Sequence, residues 1–324
     1  MGSLYLDRKN LALKMDGQAI ALYENEVKQG TVPLHLVERV VIYGNVQLES
    51  RVLAALSERA IGVVFLAGRS AKLCAMLAVK SHNDASRRLG QYRLSLDEGL
   101  RTDLARRLVV IKVRAQRKAL QEALLKRPDQ RLILSKAIKT LGDILQSLRN
   151  AKENCRLPAL RGFEGAAAAA YFAAFTVLFP ASLNFSGRHK RPPPDPVNAC
   201  LSLGYTLLHY EAVRACQAVG LDEMLGFYHD VSFGRESLAC DLMEPLRPYL
   251  DAWVWELFRE RHLRSEHFSE EQGRCLLQKA GRNSFFAFYE AKVRPLRRLL
   301  RRYAHVLARY CQDLHGDQHA SFVH

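Results

Sequence analysis

Acidic side chains are in short supply in this 324-residue chain: 33 Asp and Glu stand against 48 Lys and Arg, for a formal net charge of +15. The imbalance points to a polyanionic partner, nucleic acid first and an anionic membrane surface second. Paired cysteines are missing as well. The seven present, at positions 74, 155, 200, 216, 240, 275 and 311, are odd in number and form no CxxC pair. That excludes a disulfide framework or a zinc ribbon and fits a reducing, intracellular compartment. Long apolar runs are absent: the longest, Ala166 to Phe179, falls short of the ~20 residues a membrane span needs. Asp7, Arg8 and Lys9 follow Leu4-Tyr5-Leu6 directly, so the uninterrupted apolar core of a signal peptide is lacking. There is no internal repeat, and 48% apolar with 25% charged residues excludes a disordered or low-complexity chain. These absences predict a soluble cytoplasmic protein with no membrane partner.

What is present divides in two. A chain of this length exceeds one compact core, so two domains are expected. Leu11 to Met15 and Gln18 to Leu22 flank Asp16-Gly17, a hairpin signal in which both central residues take positive φ. Val40-Val41-Ile42-Tyr43 and Val63-Val64-Phe65-Leu66 are β-branched runs of strand length, separated by a helical stretch near 50–59 with Val52, Leu53 and Leu56 on one face. After Ser81-His82-Asn83-Asp84 the apolar period lengthens from 2 to 3.6, and helical patterns continue almost to the end. The predicted class is α+β: a small β-rich N-terminal domain (1–80), a larger all-α domain (86–312) and a polar tail (313–324) whose His315, His319 and His324 are solvated. Residues 1–80 hold 10 basic and 7 acidic side chains, so most of the excess charge lies in the helical part. The Pro-rich segment from Arg188 to Pro196 reads as a rigid basic loop. Asp195-Pro196 then supplies an N-cap and first helical residue for a helix over 196–219 that Gly220 ends.

Three groups of residues have chemical promise. Glu164, in Arg161-Gly162-Phe163-Glu164-Gly165 before five alanines, opens a helix that packs closely on several sides. A partly buried carboxylate there needs a cation, a proton or donors; it is either a site residue or a first-turn Glu stabilised by the helix dipole or Arg161. Asp241 and Glu244 share one side of a helical turn, with His229 one loop upstream. Imidazole plus carboxylates suits Mg²⁺ or Mn²⁺, although acid pairs at this spacing also occur on solvated helices. Over residues 281–310 there are eight Lys or Arg and one acid, Glu290. Leu296, Leu300, Tyr303, Leu307 and Tyr310 make a buried face, leaving Arg294, Arg298, Arg301, His305 and Arg309 as an outward stripe able to neutralise phosphates. A second basic helix carries Arg106, Arg107, Lys112, Arg114, Arg117 and Lys118; both read as phosphate-binding or simply solvated.

Four blocks, in order, resemble the signatures of the CRISPR-associated adaptation integrase family. They are Glu164-Gly165 before the alanine-rich helix, Arg191-Pro192-Pro193-Pro194-Asp195-Pro196-Val197-Asn198-Ala199 before the helix with Gly204-Tyr205, Gly226-Phe227-Tyr228-His229, and Ser237-Leu238-Ala239-Cys240-Asp241-Leu242-Met243-Glu244-Pro245-Leu246-Arg247-Pro248. With the β-rich N-terminal domain, the resemblance covers essentially the whole chain. It implies a metal-dependent DNA endonuclease and integrase that inserts foreign DNA fragments as new spacers into a CRISPR array, the 3′-hydroxyl of the fragment attacking a repeat phosphodiester. Glu164, His229 and Glu244 are then the ligands of Mg²⁺ or Mn²⁺, and Asp241 completes the catalytic set, either orienting His229 or joining a second ion. Some members have Asp where this chain has Glu244, longer by one methylene. Arg188, Lys190, Arg191, Arg294, Arg298, Arg301 and Arg302 are the candidate DNA-binding residues, for double-stranded DNA of both the incoming fragment and the repeat. The family also implies a homodimer, and a heterohexamer in which two such dimers are bridged by a small ferredoxin-like second adaptation protein. Two other readings share the same residues: a general metal-dependent nuclease, with water as the nucleophile, and a basic nucleic-acid-binding scaffold in which Glu164, His229 and Glu244 are structural.

Overall fold

The structure is a computed structural model that describes residues 2–8, 10–67, 72–77, 82–151, 156–189 and 192–321. It comprises two units, Met1–His82 with Leu276–Arg294, and Asn83–Cys275 with Pro295–His324. The α+β class holds, strand-rich first and mostly helical after.

The first unit contains β1 (Gly2–Leu6), β2 (Leu11–Asp16), β3 (Ala19–Glu24), β4 (Val27–Pro33), β5 (Val37–Tyr43), β6 (Val46–Leu48), α1 (Ser50–Glu58), β7 (Gly62–Ala67) and β8 (Lys72–Met76). One sheet has the order β1-β5-β7-β8 and the other β4-β3-β2-β6. β5 lies between two parallel partners, β1 and β7, so nearly every residue of Val37–Tyr43 is buried, as expected of a strand covered on both faces. Val52 and Leu56, one turn apart on α1, enter the core formed by Leu13, Ile20, Leu34, Val40 and Val63. The expected hairpin forms one residue further on. Asp16 pairs with Ala19, so the loop is Gly17-Gln18 and only Gly17, at φ 59°, takes the left-handed conformation; Asp16 is the last strand residue. Residues 276–294, expected in the helical domain, group with these strands. Tyr5 stacks on Phe286 at 4.3 Å between centroids and donates to Glu290 at 2.5 Å, while Arg282 pairs with Asp7 at 2.7 Å and lies over the Tyr43 ring.

The second unit is built from α2 (Ser86–Leu96), α3 (Glu98–Lys126), α4 (Arg131–Asn150), α5 (Leu157–Thr176), α6 (Pro196–Val219), α7 (Ser237–Met243) and α8 (Arg247–Arg259). After a short hairpin of β9 (Phe268–Glu271) and β10 (Arg274–Leu277) comes the long α9 (Lys279–Ser321), whose part beyond Arg294 belongs here. α6 has the bounds its caps predict. Asp195 accepts from Asn198 N at 2.8 Å, and Gly220 ends the helix at φ 77°. Most of α6 is buried, which makes it the central helix of this unit. α2 and α9 approach so closely that a Cβ on Gly90 would fall 1.7 Å from the Cys311 carbonyl oxygen.

Two expectations change here. The hairpin at 268–277 interrupts the helical run because Gln272 and Gly273 both take positive φ, 51° and 70°, the pair of conformations a tight hairpin needs. The polar segment from Asp313 continues α9 as far as Ser321; residues 322–324 lie outside the described residues. Among the described cysteines, Cys200, Cys216, Cys240, Cys275 and Cys311 are free. No helix among the described residues is long and apolar enough to cross a membrane.

Candidate active site

The residues that promised chemistry meet in the second unit, on α3, α5, α7 and the loop before α7. α5 begins at Leu157, so Glu164 lies in its second turn, beyond the reach of the helix dipole. Nor does Arg161 neutralise it. The cation is Lys112 of α3, whose ammonium donates to Glu164 Oε1 and, at 2.5 Å, to Glu244 Oε2. Two carboxylates far apart in the chain thus converge on one positive charge. α5 is also less enclosed than its alanines suggest, since Gly165, Ala166 and Ala169 are exposed.

Asp241 and Glu244, three residues apart, point in different directions. Asp241 is fully buried and serves the loop: Oδ2 accepts from Phe227 N at 2.7 Å and Tyr228 N at 2.9 Å, and Oδ1 from His229 N at 3.0 Å and His229 Nδ1 at 2.6 Å. With Nδ1 bound in this way, Nε2 is the nitrogen left for a ligand or a substrate. The cradle needs glycine at 226, because a Cβ there would lie 2.7 Å from Asp241 Oδ2 and 2.9 Å from the Ser237 carbonyl carbon. Glu244 opens the short 3₁₀ turn after α7. Its Oε1 accepts from Arg247 at 3.1 Å. Burial pushes this carboxyl up, but Arg247 and Lys112 outweigh it and hold Glu244 at about 2. Burial likewise favours neutral Lys112, and Glu244 and Glu164 reverse the effect, raising it above the ordinary lysine value.

A second cluster fixes the loop. Asp230 is bridged by Arg101 of α3 at 2.7 Å and Arg161 of α5 at 2.5 Å. The same arginines donate to the carbonyls of Phe227 and Tyr228. Tyr228 is raised above the ordinary phenol value, by burial first and then by Glu164 and Glu244. Behind the site, Arg247 lies 4.8 Å over the ring of Tyr205, whose hydroxyl donates to the buried Asp251. Burial raises that carboxyl to about 6.

The donor set suits a hard divalent ion, and the place where Glu164 and Glu244 meet already holds a cation, the Lys112 ammonium. Among the described residues, however, no three His, Cys, Asp or Glu side chains stand close enough together to hold an ion. An ion bound there has to exchange with Lys112. The sequence places Lys112 on a basic helix, phosphate-binding or solvated, and the structure instead buries it between two carboxylates. The signal was present: Lys112 follows Leu108 and Val109 by four and three residues, and both are buried, so it sits on the apolar face and needs a buried acid.

The basic candidates divide too. Arg294, Arg298, Arg301, Arg302, His305 and Arg309 are exposed, with Leu296, Leu300 and Leu307 buried and Tyr303 and Tyr310 half-buried. Arg188 turns inward, donating to Asn198 Oδ1 at 2.9 Å and Ser202 Oγ at 3.1 Å. Lys190 and Arg191 lie outside the described residues. On α3, Arg106 and Arg107 pair with Asp103.

Residues 4–291 match the model of the family described as CRISPR associated protein Cas1. The chain belongs to the Cas1 family. A curated relative from Thermodesulfovibrio yellowstonii, CRISPR-associated endonuclease Cas1 1, is 41% identical over 304 residues, covering 93% of this chain and 94% of that one. The Cas1 fold is shared with a solved Cas1 protein from Thermotoga maritima (TM-score 0.80, 24% identity, 96% of this chain and 97% of that one). A casposase bound to its integration product has the same fold (TM-score 0.83, 21% identity, 97% of this chain and 91% of that one).

Proposed function

We propose that this Cas1-family chain is a divalent-metal-dependent DNA endonuclease and integrase that joins foreign DNA fragments to the repeats of a CRISPR array. The observation that carries the reading is the convergence of Glu164 and Glu244 on a single cation beside a histidine held by a buried carboxylate. Glu164, His229 and Glu244 would hold Mg²⁺ or Mn²⁺. The ion supplies polarisation of the scissile phosphate and stabilisation of charge on the attacking and leaving oxygens.

The chain's own residues do the positioning. Asp241 fixes the ring of His229, while Arg101 and Arg161 hold the loop that carries it. The exposed Arg298, Arg301 and Arg302 take up DNA phosphates, a sequence-independent interaction that weakens as salt rises. In the joining step the 3′-hydroxyl of the fragment attacks a repeat phosphodiester, one P–O bond forms as another breaks, and the leaving strand takes the proton. Family membership and the casposase fold support this reading. A solved Cas6-RT-Cas1–Cas2 complex, one chain of which has this fold over 98% of the present chain's length, supports a second adaptation protein as partner. The reading further takes a homodimer of this chain as the unit and cytoplasmic DNA as the target.

The scaffold reading draws on the Lys112 bridge, which together with Arg247 balances the charge of both carboxylates. One experiment separates the two. Glu164→Ala and His229→Ala should abolish joining of a short duplex to a repeat-bearing plasmid while leaving salt-sensitive DNA binding largely intact; joining that persists in both variants, or in excess chelator, overturns the metal-dependent reading.

A further inference from the structure

Of the five cysteine side chains described, Cys200, Cys216, Cys275 and Cys311 are buried and Cys240 is half-buried. Burial pushes each of the four buried thiols above the ordinary value, Cys275 and Cys311 to about 12, which leaves them inert. Cys240 sits in different company. It lies on α7, one residue before Asp241, and its thiol hydrogen-bonds the imidazole of His209 on α6. The other partner of that imidazole is Glu236, whose Oε2 is 3.2 Å from His209 Nε2. Burial pushes His209 down, but its bonds to Cys240 and Glu236 outweigh this and raise it to about 9. Glu236 moves the opposite way, lowered by its bond to His209. The Arg247 guanidinium lies within electrostatic reach of the same sulfur. Thiol, imidazole and carboxylate thus stand in the order of nucleophile, proton carrier and orienting acid, and the three are not disposed to hold an ion.

We propose that Cys240 is a peroxide-reactive thiol whose oxidation shuts the neighbouring site. The thiol proton passes to His209 as the sulfur attacks one oxygen of the peroxide. The S–O bond forms while the O–O bond breaks, two electrons leave the sulfur for the peroxide, and His209 protonates the departing hydroxide to water. The product is a sulfenic acid. Its added oxygen needs room on a helix that has little to give: Ala239, Asp241 and Leu242 on either side are buried, and Cys240 N is already bonded to Glu236 O at 3.0 Å. The next residue along is Asp241, the carboxylate that locates the His229 ring, so a shift of α7 here is felt at the imidazole. The switch rests on the reading of the chain as a DNA-joining enzyme; the reactivity of the thiol does not.

The test takes the full-length protein, reduced and then freed of reductant, through dilute hydrogen peroxide with dimedone, which traps sulfenic acid, and reads each cysteine by peptide mass mapping. Cys240 should take up dimedone faster than Cys200, Cys216, Cys275 and Cys311, a comparison that needs no variant. His209→Gln should slow its labelling by about 100-fold, the lower end of what a positioned acid–base group contributes, and Glu236→Gln should slow it by less. Peroxide should stop wild type from joining a short duplex to a repeat-bearing plasmid, and a thiol reductant should restore the joining. Cys240→Ser should join as wild type does and go on joining in peroxide. Labelling of Cys240 no faster than that of the four buried cysteines, or unchanged in both His209→Gln and Glu236→Gln, overturns the reactive thiol; an equal loss to peroxide in Cys240→Ser overturns the switch. Absence of joining by wild type before any peroxide, with Cys240 still labelled, would count against the proposed reaction and the switch with it, and leave the thiol standing. Thermal melts of each variant in reductant control for folding.

Discussion

Lys112 on α3 and Arg301 on α9 are both basic residues on long helices, and spacing alone leaves both open to the same two readings, phosphate-binding or solvated. One is buried between two carboxylates; the other is exposed on the solvent side of its helix. What separates them is phase. Lys112 falls on the same face as Leu108 and Val109, whereas Arg301 follows the buried Leu300 and is out of step with the apolar period. A charge on the wet face is presented to a large external partner. One on the dry face must be answered inside the protein, and its answer here is the candidate active site itself.

That contrast predicts unequal consequences of removal. Lys112→Ala leaves Glu164 without its cation and Glu244 with Arg247 alone. It should cost roughly 3–5 kcal/mol of stability, as breaking a buried pair does, measured by urea unfolding in chelator. The same variant should be stabilised by added Mn²⁺ by about 2.7 kcal/mol at a hundredfold excess over its dissociation constant, and more than wild type is at that concentration. An unchanged urea midpoint would erase the distinction between the two lysine and arginine environments.

Two buried acids near Arg247 refine the contrast through pH. Glu244 is held at about 2, below the ordinary 4.5. Its contribution, on the order of 3 kcal/mol, is complete above pH 4.5 and is lost as pH falls toward 2. Asp251 is raised to about 6 from 3.8, so its sign is opposite. It opposes folding at neutral pH by a similar amount, and the penalty fades as pH falls from 6 toward 3.8. Asp251→Asn should therefore be stabilising at pH 7 and close to neutral at pH 4, and Glu244→Gln should flatten the stability profile between pH 4.5 and 2. Urea midpoints taken across pH 2–7 check both.

The smallest effect on stability belongs to α9. Arg298→Ala with Arg301→Ala should move stability by no more than about 0.5 kcal/mol each. It should also lower the slope of log affinity for duplex DNA against log salt by about 0.9 for every phosphate that the double variant no longer neutralises. Salt titrations of wild type and the double variant measure it.

Much of this was legible in the chain. β5, α1 and β7 follow from uniform apolar runs and a clean i, i+4 pair; α6 follows from Asp195, Pro196 and Gly220, whose backbone preferences act locally. The failures had non-local causes. The Gln272-Gly273 hairpin was hidden by the helical periodicity on both sides of it, and residues 276–294 group with the strands through Tyr5, Asp7 and Tyr43, which lie almost the whole length of the chain away. Spacing alone puts Asp241 and Glu244 on one side of a helical turn. The helix ends between them, which is why one serves a loop and the other a lysine. The Asp230 clamp left no trace in spacing at all, since its arginines come from two other helices.

The four hydrogen bonds received by Asp241 have a consequence for how such a protein can change over generations. The ring of His229 is located by a carboxylate on α7 and by main-chain amides, and its loop by the Asp230 clamp, so the side chains beyond Asp230 carry no share of that task. Residues 231–235 can therefore vary while the imidazole stays where it is. One loop holds both a fixed ring and a stretch whose side chains are under no duty to it.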